Sequence, residues 1–305
     1  MLSGGRVPWR AEFALLALIW GTSFLCIKVA VDDLAPIDVA LARAGLGAAA
    51  LVAILAVTGD RLPRGRTAWT RLAVVGLAAT AVPFALQCYG ETHVSSVLAG
   101  LWNATIPLFV LVGATAMLPD ERPTRRRVTG FVAGFAGVVV ILGPWQGAVE
   151  GDLAGQLMCV AASACLGFSF PYIRRYLAVL PYSSLALTCG QLMCATAMLG
   201  VVTAFVGGSP AAIGSGTVVA MLAVGIVSTG IGLAISYDIV RRAGATTAAA
   251  VTYFVPIVST ALGVLVLGES VSWNQPVGVA MVIAGVAASG GIVRGHRPVH
   301  SATNP

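Results

Sequence analysis

Charged residues are scarce in this sequence. Asp, Glu, Lys and Arg together make up 10% of its 305 residues, whereas about a quarter of the residues in soluble globular domains are charged. Apolar residues make up 58% of the chain, and 36 residues are glycine. This composition excludes an ordinary soluble domain. It predicts an integral membrane protein surrounded by a lipid bilayer, with glycines where helices approach closely.

The patterns that metal binding, phosphate binding and covalent catalysis require are also missing. The six cysteines lie inside apolar runs without metal-ligand spacing, so we interpret them as small, buried, reduced side chains. The sequence has no Gly-rich phosphate loop with lysine, no His/Glu zinc pattern and no nucleophile with a nearby base. We therefore predict no cofactor, no metal and no enzymatic activity.

The sequence also lacks titratable groups deep in the predicted membrane spans. No carboxylate lies in the middle third of a predicted span, two of the three histidines lie in the C-terminal tail, and Glu91 and His93 are predicted in a short outer loop. Proton-driven antiporters normally need such a group. The sequence therefore offers few residues for a buried proton relay, and the identity of the coupling ion stays open.

What the chain does contain is an internal duplication. A shift of 148 or 149 residues aligns scarce landmarks of the first half with identical residues of the second: Tyr89 and Tyr237, Pro107 and Pro256, Glu121 and Glu269, Gly130 and Gly278, and Gly137 and Gly285. A weaker match extends the duplication towards the N-terminus and aligns Arg43 with Gln191. Repeats of this kind determine the architecture before any local pattern does.

Ten apolar segments approach the roughly twenty residues that a membrane-spanning helix needs. They lie near 12–31, 36–57, 71–90, 94–118, 128–145, 153–172, 183–206, 217–237, 246–268 and 275–293. We predict an all-α polytopic membrane protein with ten transmembrane helices in two five-helix repeats, 11–145 and 153–293. An outer linker covers 146–152, and residues 1–10 and 294–305 form cytoplasmic tails.

Lysine and arginine determine the predicted orientation. With a cytoplasmic N-terminus, sixteen of the eighteen basic residues fall on the cytoplasmic side, none falls in an outer loop, and Lys28 and Arg43 lie inside spans. Membrane proteins concentrate positive charge on that side. We predict a multi-pass protein of the inner (plasma) membrane with both termini cytoplasmic. The net charge of +6 is then a topology signal and indicates no nucleic acid partner.

Each half has an odd number of spans, so its copy enters the membrane from the opposite face. The two halves are therefore predicted to be inverted-topology repeats. This architecture is typical of secondary transporters, which bind substrate near the midplane at the repeat interface.

Three motifs carry a family resemblance. They are Trp20-Gly21-x-x-Phe24 in the first span, Pro36 to Arg43 entering the second, and a proline followed by an apolar run and an acidic end in each half, Pro107 to Asp120-Glu121 and Pro256 to Gly268-Glu269. With these motifs and ten predicted spans, the chain resembles the EamA family of the drug/metabolite transporter superfamily over about residues 11–293. The second half departs from the pattern, with Leu166 in place of the tryptophan and Gln191 in place of the arginine.

Three charged residues inside or next to spans are site candidates. Arg43 lies seven residues into its span, about 10 Å deep, and an intramembrane arginine suggests function. The alternative is a structural ion pair with an outer aspartate. Lys28 and Asp32 are four residues apart, and Lys28 could form a gate or anchor a substrate carboxylate. Alternatively, Lys28 extends to the membrane surface and simply pairs with Asp32.

The two mid-span prolines supply a second set of candidates. Pro107 and Pro256 cannot donate a backbone hydrogen bond, so each kinks its helix and frees the carbonyl of Asn103 or Thr252. We predict that these two residues form a polar spot in a central cavity with aromatic walls from Trp20, Trp102 and Tyr253. In the alternative, Thr252 bonds to its own helix, Asn103 bridges to a neighbouring one, and the aromatics pack in the core.

Four residues at helix ends are interpreted as structural. Glu121 and Glu269 are predicted to cap or pair with neighbouring backbone, and Tyr89 and Tyr237 to occupy interfacial belts.

The repeat and the resemblance together predict a secondary transporter that exports small metabolites, such as amino acids or their derivatives, by alternating access. A multidrug efflux protein is the alternative within transport. A membrane-embedded enzyme or a non-transporting receptor is the alternative of another class. A small-molecule substrate is expected, and the chain could work alone or as a homodimer.

Overall fold

The computed structural model describes residues 8–94, 96–121, 123–146, 152–207, 213–258, 260–261 and 272–289. Throughout these residues the regular structure is helical, without a strand. In chain order the helices are α1 Trp9–Asp33, α2 Pro36–Thr58, α3 Arg66–His93, α4 Leu98–Met117, α5 Arg125–Leu142, α6 Leu153–Leu177, α7 Ser184–Val206, α8 Ser215–Ala243, α9 Ala245–Val258 and α10 Asn274–Ala288.

Six helices of the described chain are long and apolar enough to cross a membrane, namely α2, α3, α4, α6, α7 and α8. Helices α9 and α10 are apolar but shorter, and α1 and α5 carry charged residues near their ends. The prediction of an all-helical protein with membrane-spanning helices is therefore confirmed, whereas ten full spans remain a prediction.

Several helices depart from regular α geometry. Helices α3, α6 and α8 contain π-helical segments at Leu77–Ala81, Ile173–Leu177 and Ala223–Ile231. Helix α4 is interrupted by a turn at residues 104–105, just before Pro107, and α9 passes through a 3-10 turn, Ala250–Tyr253, just before Pro256. Proline cannot continue the α-helical hydrogen-bond ladder, and such irregular backbone inside a membrane protein typically borders a cavity.

Helices α5 and α10 pack at backbone contact distance through the glycines that the duplication aligns. A Cβ atom on Gly285 would lie 2.5 Å from the Gly134 nitrogen, and one on Gly278 would lie 2.6 Å from the Gly137 oxygen. Only glycine permits these approaches, as in other closely packed helix pairs in lipid.

Other glycines make matching contacts in the two halves. A Cβ on Gly21 of α1 would lie 2.5 Å from Val258 Cβ of α9, and one on Gly167 of α6 would lie 2.3 Å from Phe109 Cβ of α4. These two contacts correspond under the duplication, because Gly21 aligns with Gly167 at a shift of 146 residues and Phe109 with Val258 at a shift of 149. Each half therefore packs its first helix on the fourth helix of the other half.

A second pair of matching glycine contacts joins the two halves. Gly76 of α3 faces the Gln191 oxygen of α7, and Gly225 of α8 faces the Arg43 oxygen of α2, at 2.9 and 3.4 Å from the added Cβ. Gly76 and Gly225 are 149 residues apart, and Arg43 and Gln191 are 148 apart. These contacts bring the two candidate polar positions of α2 and α7 to the middle of the molecule.

Candidate functional site

A central cavity lies between helices α1–α4 and α6–α9. The space between its walls, including the part that is open to solvent, is about 830 Å³. Much of its lining consists of equivalent residues of the two halves: Trp20 and Leu166, Ser23 and Ser169, Ile27 and Ile173, Arg43 and Gln191, Phe84 and Leu233, Asn103 and Thr252, and Ile106 and Val255. The cavity is therefore shared between the two halves.

Arg43 is the only charged side chain among the described residues of the cavity wall. It is 6% exposed. Its Nε donates to Thr229 Oγ1 at 3.3 Å, and its guanidinium carbon lies 3.7 Å from the ring centre of Phe84. Its Nη1 is buried with no hydrogen-bond partner among the described residues. The Arg43 guanidinium hydrogen-bonds to the Cys88 side chain of α3 and interacts electrostatically with Glu91 of the same helix, and neither of these residues lines the cavity.

Gln191 occupies the equivalent position with its hydrogen bonds complete. Its Nε2 donates to Thr80 Oγ1 at 2.7 Å, and its Oε1 accepts a hydrogen bond from the Tyr237 hydroxyl. Thr80 and Thr229 are 149 residues apart, so each polar residue of the pair bonds to the equivalent threonine of the other half. The halves thus make the same bond, but Arg43 Nη1 has no hydrogen-bond partner among the described residues, whereas both polar side-chain atoms of Gln191 have one.

Trp20, Asn103 and Thr252 line the cavity together with Arg43. Trp20 Nε1 donates to the Ser228 oxygen at 3.3 Å, which ties α1 to the π-helical part of α8. The Thr252 hydroxyl donates to the Ala249 oxygen at 2.9 Å, as the alternative of local bonding predicted. The structure therefore brings four of the six predicted cavity residues together.

Trp102 and Tyr253 lie elsewhere, which corrects the prediction that they form walls of the cavity. Tyr253 is fully buried between α9 and α5, where its hydroxyl donates to the Phe131 oxygen at 2.8 Å. Trp102 packs in a small cluster with Leu98 and Cys159. Successive helical residues point about 100° apart, so the neighbours of Asn103 and Thr252 face away from the cavity that those two residues line.

Two further predictions change with the structure. Tyr237 is 1% exposed and bonds to Gln191, so it belongs to the core and not to an interfacial belt. Glu91 lies within α3 and is 4% exposed, because the helix continues through His93 where an outer loop was predicted. The gate candidates Lys28 and Asp32 lie on α1, but their side chains are outside the described residues.

Glu121 has the structural role expected for it. Its carboxylate is 2% exposed, forms an ion pair with Arg174 Nε at 3.2 Å, and accepts hydrogen bonds from the backbone N–H groups of Ala245 and Thr246. It therefore caps the first turn of α9 and joins it to α6. The equivalent Glu269 lies outside the described residues.

Sequence reasoning missed Thr229, Ser228 and Tyr237 as parts of the site. The signal was present, because the alignment of Arg43 with Gln191 marks two facing polar positions. Ser228 and Thr229 were missed because small hydroxyl residues in an apolar run carry no charge pattern. Tyr237 was missed because the sequence analysis assigned it to an interfacial belt.

Comparison with known proteins identifies the family of this chain. The model of the EamA-like transporter family matches it twice, at residues 11–143 and 153–290. The chain belongs to this family. The two EamA matches together cover nearly the whole chain, and each contains helices from one half of the cavity wall.

Curated relatives of this EamA protein match it over most of its length. An uncharacterized transporter of Archaeoglobus fulgidus is 28% identical over 90% of this chain and 95% of its own. The uncharacterized inner membrane transporter YedA of Escherichia coli K12 is 26% identical over 92% of this chain and 90% of its own. The chain is therefore a multi-pass membrane protein of a transporter family.

A solved crystal structure has the same fold. It covers 92% of this chain and 95% of its own, with a TM-score of 0.77 and 22% sequence identity. At that identity the likeness concerns the fold alone.

Proposed function

We propose that this EamA protein is a secondary transporter that exports small metabolites across the inner (plasma) membrane by alternating access. The observation that carries the proposal is the central cavity, whose wall combines equivalent residues from both halves. Substrate sites of secondary transporters lie at such repeat interfaces. In this proposal, rocking of one half against the other exposes the cavity to each membrane face in turn.

The same proposal includes two five-helix inverted repeats. It is supported by the two family matches and by the glycine contacts that exchange under the shift of 146–149 residues. Matching packing lowers the barrier between two access states, because helices that separate at one face are replaced by equivalent helices that close at the other.

Multidrug efflux of lipophilic cations has less support. A carboxylate is the group that neutralises a cation in an apolar cavity, and although aromatic rings line this cavity, no acid lines its described part. The one charge on the wall, Arg43, would repel them.

Flux into proteoliposomes tests the proposal. The purified chain is expected to carry at least one member of a metabolite library, and Asn103→Leu is expected to lower that flux by tenfold or more, since Leu keeps the volume but removes the polar group from the cavity wall. Thr252→Val should have a smaller effect, because the Thr252 hydroxyl bonds to Ala249 of its own helix.

The absence of flux for every library member, with correctly folded protein, would reject transport. Unchanged flux in folded Asn103→Leu protein would reject this cavity as the substrate site. A lipophilic cation belongs in the same panel, and its preferential transport would favour the multidrug alternative.

The proposed orientation places both termini in the cytoplasm. Thr67, at the start of α3, and Ser215, at the start of α8, are both exposed and lie at opposite ends of the proposed bundle. In a background without native cysteines, Ser215→Cys in whole cells should react with an impermeant thiol reagent, and Thr67→Cys should react only after the membrane is opened. The reverse labelling pattern would invert the topology.

A further inference from the structure

We infer that the cavity binds a small organic monocarboxylate with an apolar or aromatic body, and that Arg43 holds its carboxylate. This inference rests on the proposed transport function and specifies its substrate class. The first observation is a donor without an acceptor: Arg43 lines the cavity, and its Nη1 is buried with no hydrogen-bond partner among the described residues. A buried N–H group without an acceptor is costly, and a ligand acceptor removes that cost.

Gln191, the residue equivalent to Arg43 in the second half, supports a ligand-binding role for Arg43 over a purely structural one. Gln191 completes its bonds with Thr80 and Tyr237 of the protein itself. Arg43 makes the matching threonine bond through Nε alone, with Phe84 stacked on its guanidinium. If the position needed only a link between the halves, glutamine would supply it, as it does in the second half. The guanidinium adds a charge and further donors, which suit a carboxylate.

The rest of the wall defines the body of the ligand. Trp20, Phe84, Phe170 and Leu233 give the cavity a predominantly apolar surface, and Ser23 and Ser169 add hydroxyls. No aspartate or glutamate lines its described part, so an ammonium group would lack a counter-charge. An uncharged or aromatic body with one carboxylate therefore fits better than a zwitterion, a cation or a dicarboxylate.

Glu91 sets a limit on the strength of this site. It is buried on α3 and interacts electrostatically with Arg43 from outside the cavity wall. Its negative charge competes with an anionic ligand for the guanidinium. Glu91→Gln should therefore strengthen carboxylate binding, while the apolar contacts stay unchanged.

Isothermal titration with the full chain in lipid nanodiscs tests the inference with three probes of similar shape. Phenylacetate carries the carboxylate, phenylacetamide is its uncharged counterpart, and phenethylamine carries the opposite charge. The wild-type protein is expected to bind phenylacetate at least about tenfold more tightly than either of the others, as expected for a charged hydrogen bond in a buried site.

Arg43→Gln copies the residue of the second half and should remove the preference for phenylacetate over phenylacetamide. Arg71→Gln is the matched control, because it removes the same charge from a residue that bonds to the Tyr176 oxygen outside the cavity wall. The control should keep the preference. The comparison of probes on wild-type protein needs no variant, so the test stands even if Arg43→Gln does not fold.

Equal binding of phenylacetate and phenylacetamide, or binding of neither, would overturn the inference. So would a retained preference in folded Arg43→Gln protein. Preferential binding of phenylacetate without flux of any solute would support the site and reject transport. Flux of cations alone, without phenylacetate binding, would support transport and reject the assigned substrate class.

Discussion

Gly285→Ala is expected to destabilise the protein by about 2–3 kcal/mol, because it overpacks the contact between α5 and α10. The added methyl carbon would lie 2.5 Å from the Gly134 nitrogen and 2.7 Å from the Gly130 oxygen. Both atoms belong to backbone, which cannot rotate away as a side chain can. Thermal unfolding of purified protein, followed by size-exclusion chromatography, should report a melting temperature lower by roughly 5–10 °C.

Gly200→Ala is the matched control for this change. Gly200 also lies inside an apolar helix, α7, but its added carbon would meet only Leu41 Cδ1, at 4.0 Å. It should leave stability unchanged or raise it by about 0.5–1 kcal/mol, since alanine restricts the unfolded chain more than glycine does. Equal effects of the two substitutions would mean that the close approach of α5 and α10 does not determine stability.

The glycines of this contact illustrate what the sequence could predict. Gly130, Gly137, Gly278 and Gly285 stood out because the duplication aligns them, and the structure uses all four where α5 and α10 meet. The alignment of Arg43 with Gln191 was equally informative, since both residues line one cavity. Landmarks that recur at a fixed shift are informative because equivalent positions experience equivalent packing.

Side-chain direction was harder to predict. The proline argument selected Asn103 and Thr252, which line the cavity, and their aromatic neighbours Trp102 and Tyr253, which do not. Neighbouring residues of a helix differ by about 100° in direction, and turns in α4 and α9 shift that phase. Where a helix is irregular, the spacing of residues in the sequence cannot predict which side chains face the cavity.

The helix boundary at Glu91 shows a related limit. An acid two residues before a histidine resembles a loop, yet α3 continues to His93 and buries Glu91 near Arg43. Hydropathy averages over windows of about twenty residues and does not detect that a single buried charge is stabilised by a partner on another helix. Such pairing depends on tertiary structure, which the local sequence does not contain.

Glu121→Gln is expected to destabilise the protein by about 3 kcal/mol, because it breaks a buried ion pair and leaves one partner uncompensated. The Glu121 carboxylate is 2% exposed, whereas Arg174 is 22% exposed and regains some hydration. The substitution also replaces one acceptor oxygen by an amide donor that faces the N–H groups of Ala245 and Thr246. Thermal unfolding of the purified variant should measure the loss.

Asp120→Asn is the control for the charge itself. Asp120 precedes Glu121 in the chain and is exposed, so its neutralisation should change stability by less than about 1 kcal/mol, the upper end for an exposed charge interaction. A similar loss in both variants would attribute the effect to net charge and not to the buried pair.

A double-mutant cycle separates the ion pair from the helix cap. If the pair dominates, Arg174→Gln combined with Glu121→Gln should be less destabilised than the sum of the single changes, because neither charge is then left alone in the core. If the cap dominates, the two losses should add, since Ala245 and Thr246 lose their acceptor whether or not Arg174 is present. Because Glu121 joins the end of α4 to α6 and α9, coupling would mean that one carboxylate holds helices of both halves together at the proposed cytoplasmic face.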